Sequence, residues 1–463
     1  MTQAMVIRQT VQRFAPAAIL AAAWGLLIGF AWPGFMTWDS VNQLSQARSG
    51  NYGNWHPPIM AWLWSVLDAR LAGPGLMLIL QTGLFMIGLY AVIRRYAPRM
   101  QASAIAAVVL LFPPVFGPLL AIWKDSLMAA LLLCGVAGLT SAARAPRLLA
   151  WLALVVVAAL RHNAPILVVP LTILLVPYAP RWPSWRRRAL GAGLGLGVSL
   201  AGMLVSRALT RVDEHPFANM IAMPDLASVI ASADPMSDAE VRTLVEDVHL
   251  VVATDIQAHL RSLDATQADY TSLGLGDQRV FDLVTTDAQS SAMVRAWRRA
   301  MLEHPGTYLA HRERRLLDVL GFTRTRPLPY ILPRGESANL LAMVGEVRSY
   351  SRFQLTIGRW LGKINRTIVF WPTLYAVLGI GLLVILWRDP LQRGLLIGAL
   401  GYELALVFLS PGGQEYRYSH WMVTCVVIAT VVRFLGVART RPGPAPVGWM
   451  SADETKETAP LSC

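Results

Sequence analysis

The sequence predicts an all-α polytopic membrane protein, and three observations predict it. Apolar residues fill 55% of the 463 positions and charged residues 15%, against roughly 25% charged in soluble globular chains. The apolar residues fall in blocks of about 20, the length a helix needs to cross the hydrocarbon of a bilayer. Arginines gather in short loops between those blocks, as they do on the cytoplasmic side of membrane proteins. The net charge of +13 is therefore read as topology. No RNA- or DNA-binding signature accompanies it, and no nucleic-acid partner is expected.

The blocks give about ten transmembrane helices. They lie near 14–33, 75–93, 102–121, 126–143, 148–160, 164–179, 189–206, 367–387, 394–410 and 420–437. The first follows Arg8 and Arg13 and is longer than a cleavable signal core, so it reads as an uncleaved span. The fifth and sixth are short and also admit one broken hairpin. The segment 57–72, with Trp62 and Trp64, reads as lying along the membrane interface.

Orientation follows from the cations. Arg94, Arg95 and Arg99 follow the second span, and Arg144 and Arg147 the fourth. Arg181, Arg186, Arg187 and Arg188 follow the sixth, Arg388 and Arg393 the eighth, and Arg433, Arg439 and Arg441 close the last. The positive-inside rule then puts both termini in the cytoplasm and the odd-numbered loops outside. The expected organisation is an N-terminal transmembrane region over 1–206 with an outer first loop at 34–57. A mostly helical periplasmic domain over 207–366, C-terminal transmembrane helices over 367–437 and a disordered cytoplasmic tail over 438–463 complete it.

The long loop is acidic first, from Asp213 and Glu214 through Asp225, Asp238, Glu240, Glu246 and Asp247 to Asp255. Val241, Leu244, Val245 and Val248 recur at helical spacing, and Ser237-Asp238-Ala239-Glu240 reads as a helix start. Its second half turns basic at Arg295, Arg298, Arg299, Arg312, Arg314 and Arg315. This reads as a basic helix at the membrane surface that either anchors on lipid headgroups or touches substrate. Cys134 and Cys425 fall in apolar blocks and Cys463 ends the chain, so neither a disulfide framework nor a zinc site is expected.

Five polar clusters occupy the loops placed outside. They are Thr37-Trp38-Asp39-Ser40, Asn54-Trp55-His56-Pro57-Pro58, Trp123-Lys124-Asp125-Ser126, Arg161-His162-Asn163, and Gln414-Glu415-Tyr416-Arg417-Tyr418-Ser419-His420. The arginine pattern that sets the orientation is independent of them, so their shared side points to one outward-facing pocket. Each also admits a lesser role. Asp39 suits a helix cap before Ser40, and His56 a turn before two prolines. Lys124 and Asp125 suit a local ion pair, Arg417 an interfacial anchor, and Asn163 the satisfaction of a span start. Taken together, Lys124, Arg161 and Arg417 supply the fixed positive charge that suits a phosphate. Asp39, or Glu415, supplies a carboxylate that can take a proton. That set fits attack on a phosphate-activated group carried by a membrane lipid, with the cations stabilising the departing phosphate.

At this point the chain resembles the GT-C superfamily of integral membrane glycosyltransferases. Trp38-Asp39-Ser40 with Gln43 and His56-Pro57-Pro58 looks like the first outer loop of its bacterial members. The resemblance extends to Lys124-Asp125, Arg161-His162-Asn163, His304-Pro305-Gly306-Thr307-Tyr308-Leu309 and Tyr416-Arg417-Tyr418. It implies a GT-C-like transmembrane fold and a polyprenyl-phosphate-linked sugar as donor. The implied acceptor is a glycan, lipid or protein of the cell envelope, and the implied setting is a bacterial inner membrane with the site facing outside. It further implies Asp39 as the catalytic acidic residue. Lys124, Arg161 and Arg417 then hold the donor phosphate, and His56, Asp125, His162, Asn163, Glu415, Tyr416 and Tyr418 line the pocket. Many members carry paired acidic residues in that loop; here Asp39 is followed by Ser40, which argues against a tightly held metal, so no cofactor is expected. Two other classes compete. A transporter or flippase of lipid-linked glycans places ionisable residues near the bilayer midplane, where this sequence reads as nearly uncharged. A non-enzymatic envelope scaffold needs none of the clusters.

Overall fold

The computed structural model describes residues 3–175, 183–264, 269–322, 342–345, 350–365, 367–409 and 416–438. No β-strand occurs among them, only three isolated bridges. The N-terminal half runs α1 (Gln3–Ala31), α2 (Trp38–Ser49), α3 (Ile59–Asp68), α4 (Gly75–Ile93), α5 (Arg99–Leu110), α6 (Pro113–Leu119), α7 (Lys124–Leu139), α8 (Arg144–Leu160), α9 (Pro165–Leu175) and α10 (Ser184–Leu209). The long connection then forms α11 (Met223–Ser232), α12 (Asp238–Leu244), α13 (Ile256–Ser262), α14 (Tyr270–Gly274), α15 (Asp287–Glu303), α16 (Pro305–Leu320) and α17 (Arg352–Ile364). The chain closes with α18 (Pro372–Ile385), α19 (Pro390–Leu409), a 3₁₀ turn at Tyr416–Ser419 and α20 (His420–Ala438).

Among the described residues five segments are long and apolar enough to cross a membrane: Arg13–Ala31, Gly75–Ile93, Ser184–Leu209, Pro390–Leu409 and Tyr416–Gly436. The third expected span, 102–121, is broken instead. Its halves α5 and α6 meet at 69°, because Phe112 stands before Pro113 and takes an extended backbone, as the residue before a proline must. Gln81 of α4 donates to the carbonyls of Leu119 at 2.6 Å and Ala121 at 2.8 Å, so carbonyls freed at the end of α6 do not go unsatisfied. Counting the bent pair as one span gives six. Of the other apolar helices in the expected positions, α7, α8 and α18 have 16, 17 and 14 residues, and the sixth expected span continues past Leu175 outside the described residues. Among the described residues, then, five or six segments have the length of a full crossing.

The bundle is held by close approach. α4 packs on α7, α7 on α8, and α10 on α8 and α9. A side chain at Gly88 of α4 would meet Leu133 Cβ at 2.7 Å and the Cys134 amide nitrogen at 2.8 Å. Among helices whose surroundings are as apolar as themselves, such small-residue contacts supply the packing energy.

The connection 210–322 has its own core around Leu226, Ile230, Phe281 and Met293. α12 begins where the Ser237–Glu240 run predicts, with Ser237 and Glu240 capping each other. The acidic and basic halves hold one another: Arg295 meets Asp247 at 3.1 Å and Arg299 meets Glu246 at 3.2 Å. Asp225 is buried and receives Trp297 Nε1–H at 2.9 Å and Arg312, with His311 Nε2 at 3.1 Å. Arg312 and Arg315 are therefore core residues and face neither headgroups nor substrate, while Arg314 stays exposed. The sequence reading of a basic surface helix fails there because Arg312 serves Asp225, 87 positions away, and Arg315 is buried within the field of Asp225 and Asp318. α16 also ties this part to the bundle, through Val319 against Leu406 and Tyr418.

Candidate functional site

The first loop reaches the α6–α7 junction through backbone pairing. Phe35 N–H donates to Leu120 O at 3.0 Å and Ile122 N–H to Phe35 O at 2.9 Å. Thr37, in extended conformation, is the N-cap of α2. Ser40 Oγ accepts the Thr37 N–H at 3.1 Å and donates to Ile122 O at 2.8 Å. Capping is thus done without Asp39, whose carboxylate projects away from α2 to Arg417 and to His56 Nε2 at 3.3 Å.

His56 is buried between Asp39 and Lys124, with Nδ1 against Lys124 Nζ. An ammonium has only protons to give, so Nδ1 accepts; the ring proton then sits on Nε2 and is donated to Asp39. Burial, with Lys124 next, pushes His56 down to about 4. Burial raises Asp39, but Arg417, His56 and Lys124 together outweigh it and hold the carboxyl well below the usual carboxylate range. Near neutral pH the cluster is a carboxylate, a neutral imidazole and two cations, an excess of one positive charge.

Aromatic faces aim the guanidinium. Arg417 lies 4.9 Å from the ring centre of Trp123 and 5.4 Å from that of Tyr418, within cation–π range. Trp123 is itself fixed by donating to Thr37 Oγ1 at 2.8 Å. Arg161 pairs with buried Asp125 and lies 5.5 Å from the Tyr418 ring. Lys124 and Asp125, neighbours in sequence, go to different partners because successive helix residues point about 100° apart. The two guanidiniums share Tyr418, but only Arg417 touches Asp39.

The other expected pocket residues are less central. Tyr416 is buried against Phe370 and donates to Pro114 O at 3.3 Å. His162 is exposed and hydrogen-bonds the Asn54 backbone. Asn163 accepts the Ile166 N–H through its carbonyl at 3.2 Å, closing the turn into α9. Glu415 and Gln414 lie outside the described residues. Sequence reasoning passed over Glu403, which is buried within α19 and accepts Ser419 Oγ at 2.6 Å, two residues from Arg417. A lone carboxylate inside an apolar block was the available signal.

The strand of chain that ends in His56 is clamped from the far side. Gly53 pairs with Val212, Asn54 Nδ2 donates to Asp213 at 2.8 Å, and Trp55 N–H donates to Glu214 at 2.8 Å. A Cβ at Gly53 would fall 2.1 Å from Glu214 Oε2, so any larger residue would displace that carboxylate. Compared with family models, curated proteins and solved structures, the chain matches none.

Proposed function

We propose that the chain is a membrane glycosyltransferase of GT-C type, moving a sugar from a polyprenyl-phosphate carrier to a cell-envelope acceptor at the outer face of a bacterial inner membrane. The observation that carries this reading is the Asp39 cluster: one ionised carboxylate held by Arg417 and His56, with Lys124 behind. Its excess positive charge suits a lipid phosphate, and the planar fork of Arg417 suits two phosphate oxygens at once.

An arriving phosphate competes with Asp39 for Arg417. As the guanidinium turns to the phosphate, Asp39 loses a charge that holds its basicity down, and its affinity for a proton rises. Asp39 then takes the proton of the acceptor hydroxyl while the acceptor oxygen attacks the anomeric carbon. The bond from that carbon to the phosphate oxygen breaks, and the electron pair leaves on a phosphate met by Arg417 and Lys124. His56 keeps its Nε2 proton on the carboxylate and so orients the oxygen that works.

Buried Glu403 favours one second reading, transport of a lipid-linked glycan, since carboxylates at membrane depth mark transport pathways. One experiment separates the two. The purified chain in lipid nanodiscs is given polyprenyl-phosphate sugars and an envelope acceptor. Release of sugar-free polyprenyl phosphate supports transfer. Movement of intact lipid-linked sugar across proteoliposomes, with no cleavage, contradicts it.

A further inference from the structure

Against the first loop, where Asn54 meets Asp213, three groups from two segments converge. His215 Nδ1 stands 3.6 Å from Oδ1 of Asp213 and 3.9 Å from Oδ1 of Asp287, and the three ligand-type atoms lie within 4.8 Å of one another. These gaps are too long for hydrogen bonds and are of the size left between ligands about 2.0–2.4 Å from one cation. The His215 side chain is only 7% exposed, and its ring makes no hydrogen bond among the described residues. A buried imidazole nitrogen thus faces two carboxylates without a hydrogen bond to either, the arrangement that a cation between them would complete. Asp213 is already oriented for such a role: it receives Asn54 Nδ2 at 2.8 Å and the His215 N–H at 3.0 Å, the outer bonds that metal-binding carboxylates use. A carboxylate accepts about four contacts, so room remains.

We propose that Asp213, His215 and Asp287 bind a divalent cation of the zinc or manganese class, which clasps the exit of α10 and the start of α15 to the loop that carries His56. One imidazole and two carboxylates favour such ions over calcium or magnesium, which take all-oxygen sites. The exposed flank, at Asp213 and Asp287, leaves further positions to water. The ion's place is structural. Val212 and Glu214 on either side of Asp213 hold Gly53 and Trp55, so fixing Asp213 to α15 fixes the backbone next to His56. The site shares no residue with the Asp39 cluster and does not rest on the glycosyltransferase reading.

The test uses the purified, tag-free full chain, stripped with chelator and desalted. Zn²⁺, Mn²⁺ or Ca²⁺ is added, excess is removed, and bound metal and Tm are measured. Four chains are compared: the parent, His215→Ala, Asp287→Asn and Asp39→Asn. Asp287 is exposed and makes no hydrogen bond among the described residues, so Asp287→Asn removes the ligand charge with the least disturbance of packing. The parent and Asp39→Asn should retain one equivalent of Zn²⁺ or Mn²⁺ and melt higher with it, as any ligand of the native state requires. His215→Ala and Asp287→Asn should lose both effects. The proposal is overturned if the parent retains no metal, if only Ca²⁺ binds, or if Asp287→Asn keeps the equivalent. Loss confined to Asp39→Asn also overturns it, since that places the ion in the other cluster.

Discussion

Asp39 and Asp125 both sit in the first turn of a helix, yet their surroundings assign them different work. Asp125 is buried and spent on Arg161, and breaking such a pair strands a charge at about 3–5 kcal/mol. Arg161→Ala should therefore lower Tm sharply, and Asp125→Asn added to it should recover much of the loss. Lys124→Ala, at a half-buried position facing His56, should weaken binding of polyprenyl phosphate with a smaller change in Tm. An Arg161→Ala chain as stable as the parent but blind to the lipid would return Arg161 to the binding cations. His56 carries part of the pH dependence, beside His162 and His311, which desolvation lowers too. Its folded value is about 4 against 6.5 for the free residue, so the unfolded chain takes the proton first as pH falls. His56 thus contributes stability above about 6.5, and that contribution is lost progressively towards about 4. The fall in Tm from pH 7.5 to pH 4.5 should be smaller in His56→Gln than in the parent. An equal or larger fall in the variant would remove His56 from the buried network.

At the scale of elements, the sequence disclosed the polar runs but not their pairings. Thr37–Ser40, Asn54–His56, Lys124–Asp125, Arg161 and Arg417 stand out because they interrupt apolar surroundings. That Lys124 meets His56 while Asp125 meets Arg161 depends on helix phase and on chain 68 positions away, which periodicity does not encode. The break at Phe112-Pro113-Pro114 was written in the prolines, but the apolar run on both sides reads as one span. Arg312 and Arg315 looked like surface charge because their partner, Asp225, comes from another helix. Asp225→Asn should uncover the cost of that burial. It leaves Arg312 and His311 without a carboxylate inside the α11–α16 core, at roughly 3–5 kcal/mol. The expected result is faster proteolysis within 210–322 and a lower Tm. Unchanged cleavage would show that the arginines hold this core without Asp225.

For the whole molecule, membrane embedding was legible from block length and composition, whereas the number of complete crossings was not, since α7 and α18 carry apolar sequence in helices of 16 and 14 residues. Orientation rests on the arginine pattern and is open to direct test. Cysteines placed at Asn51 and Asp264 in a cysteine-free chain should react with an impermeant thiol reagent in intact cells, and one at Ser184 should not; the reverse pattern would turn the proposed site to the cytoplasm. The central claim is that Asp39 is the base of a sugar transfer whose phosphate is carried by Arg417 and Lys124. The measurement that tests it most directly is turnover of a polyprenyl-phosphate sugar by purified Asp39→Asn, with binding of polyprenyl phosphate assayed on the same preparation. General-base catalysis is worth about 10²–10⁴-fold. Turnover should fall by that order with lipid binding kept or strengthened, because Arg417 no longer answers to a carboxylate. Turnover equal to the parent in a folded Asp39→Asn chain would contradict it.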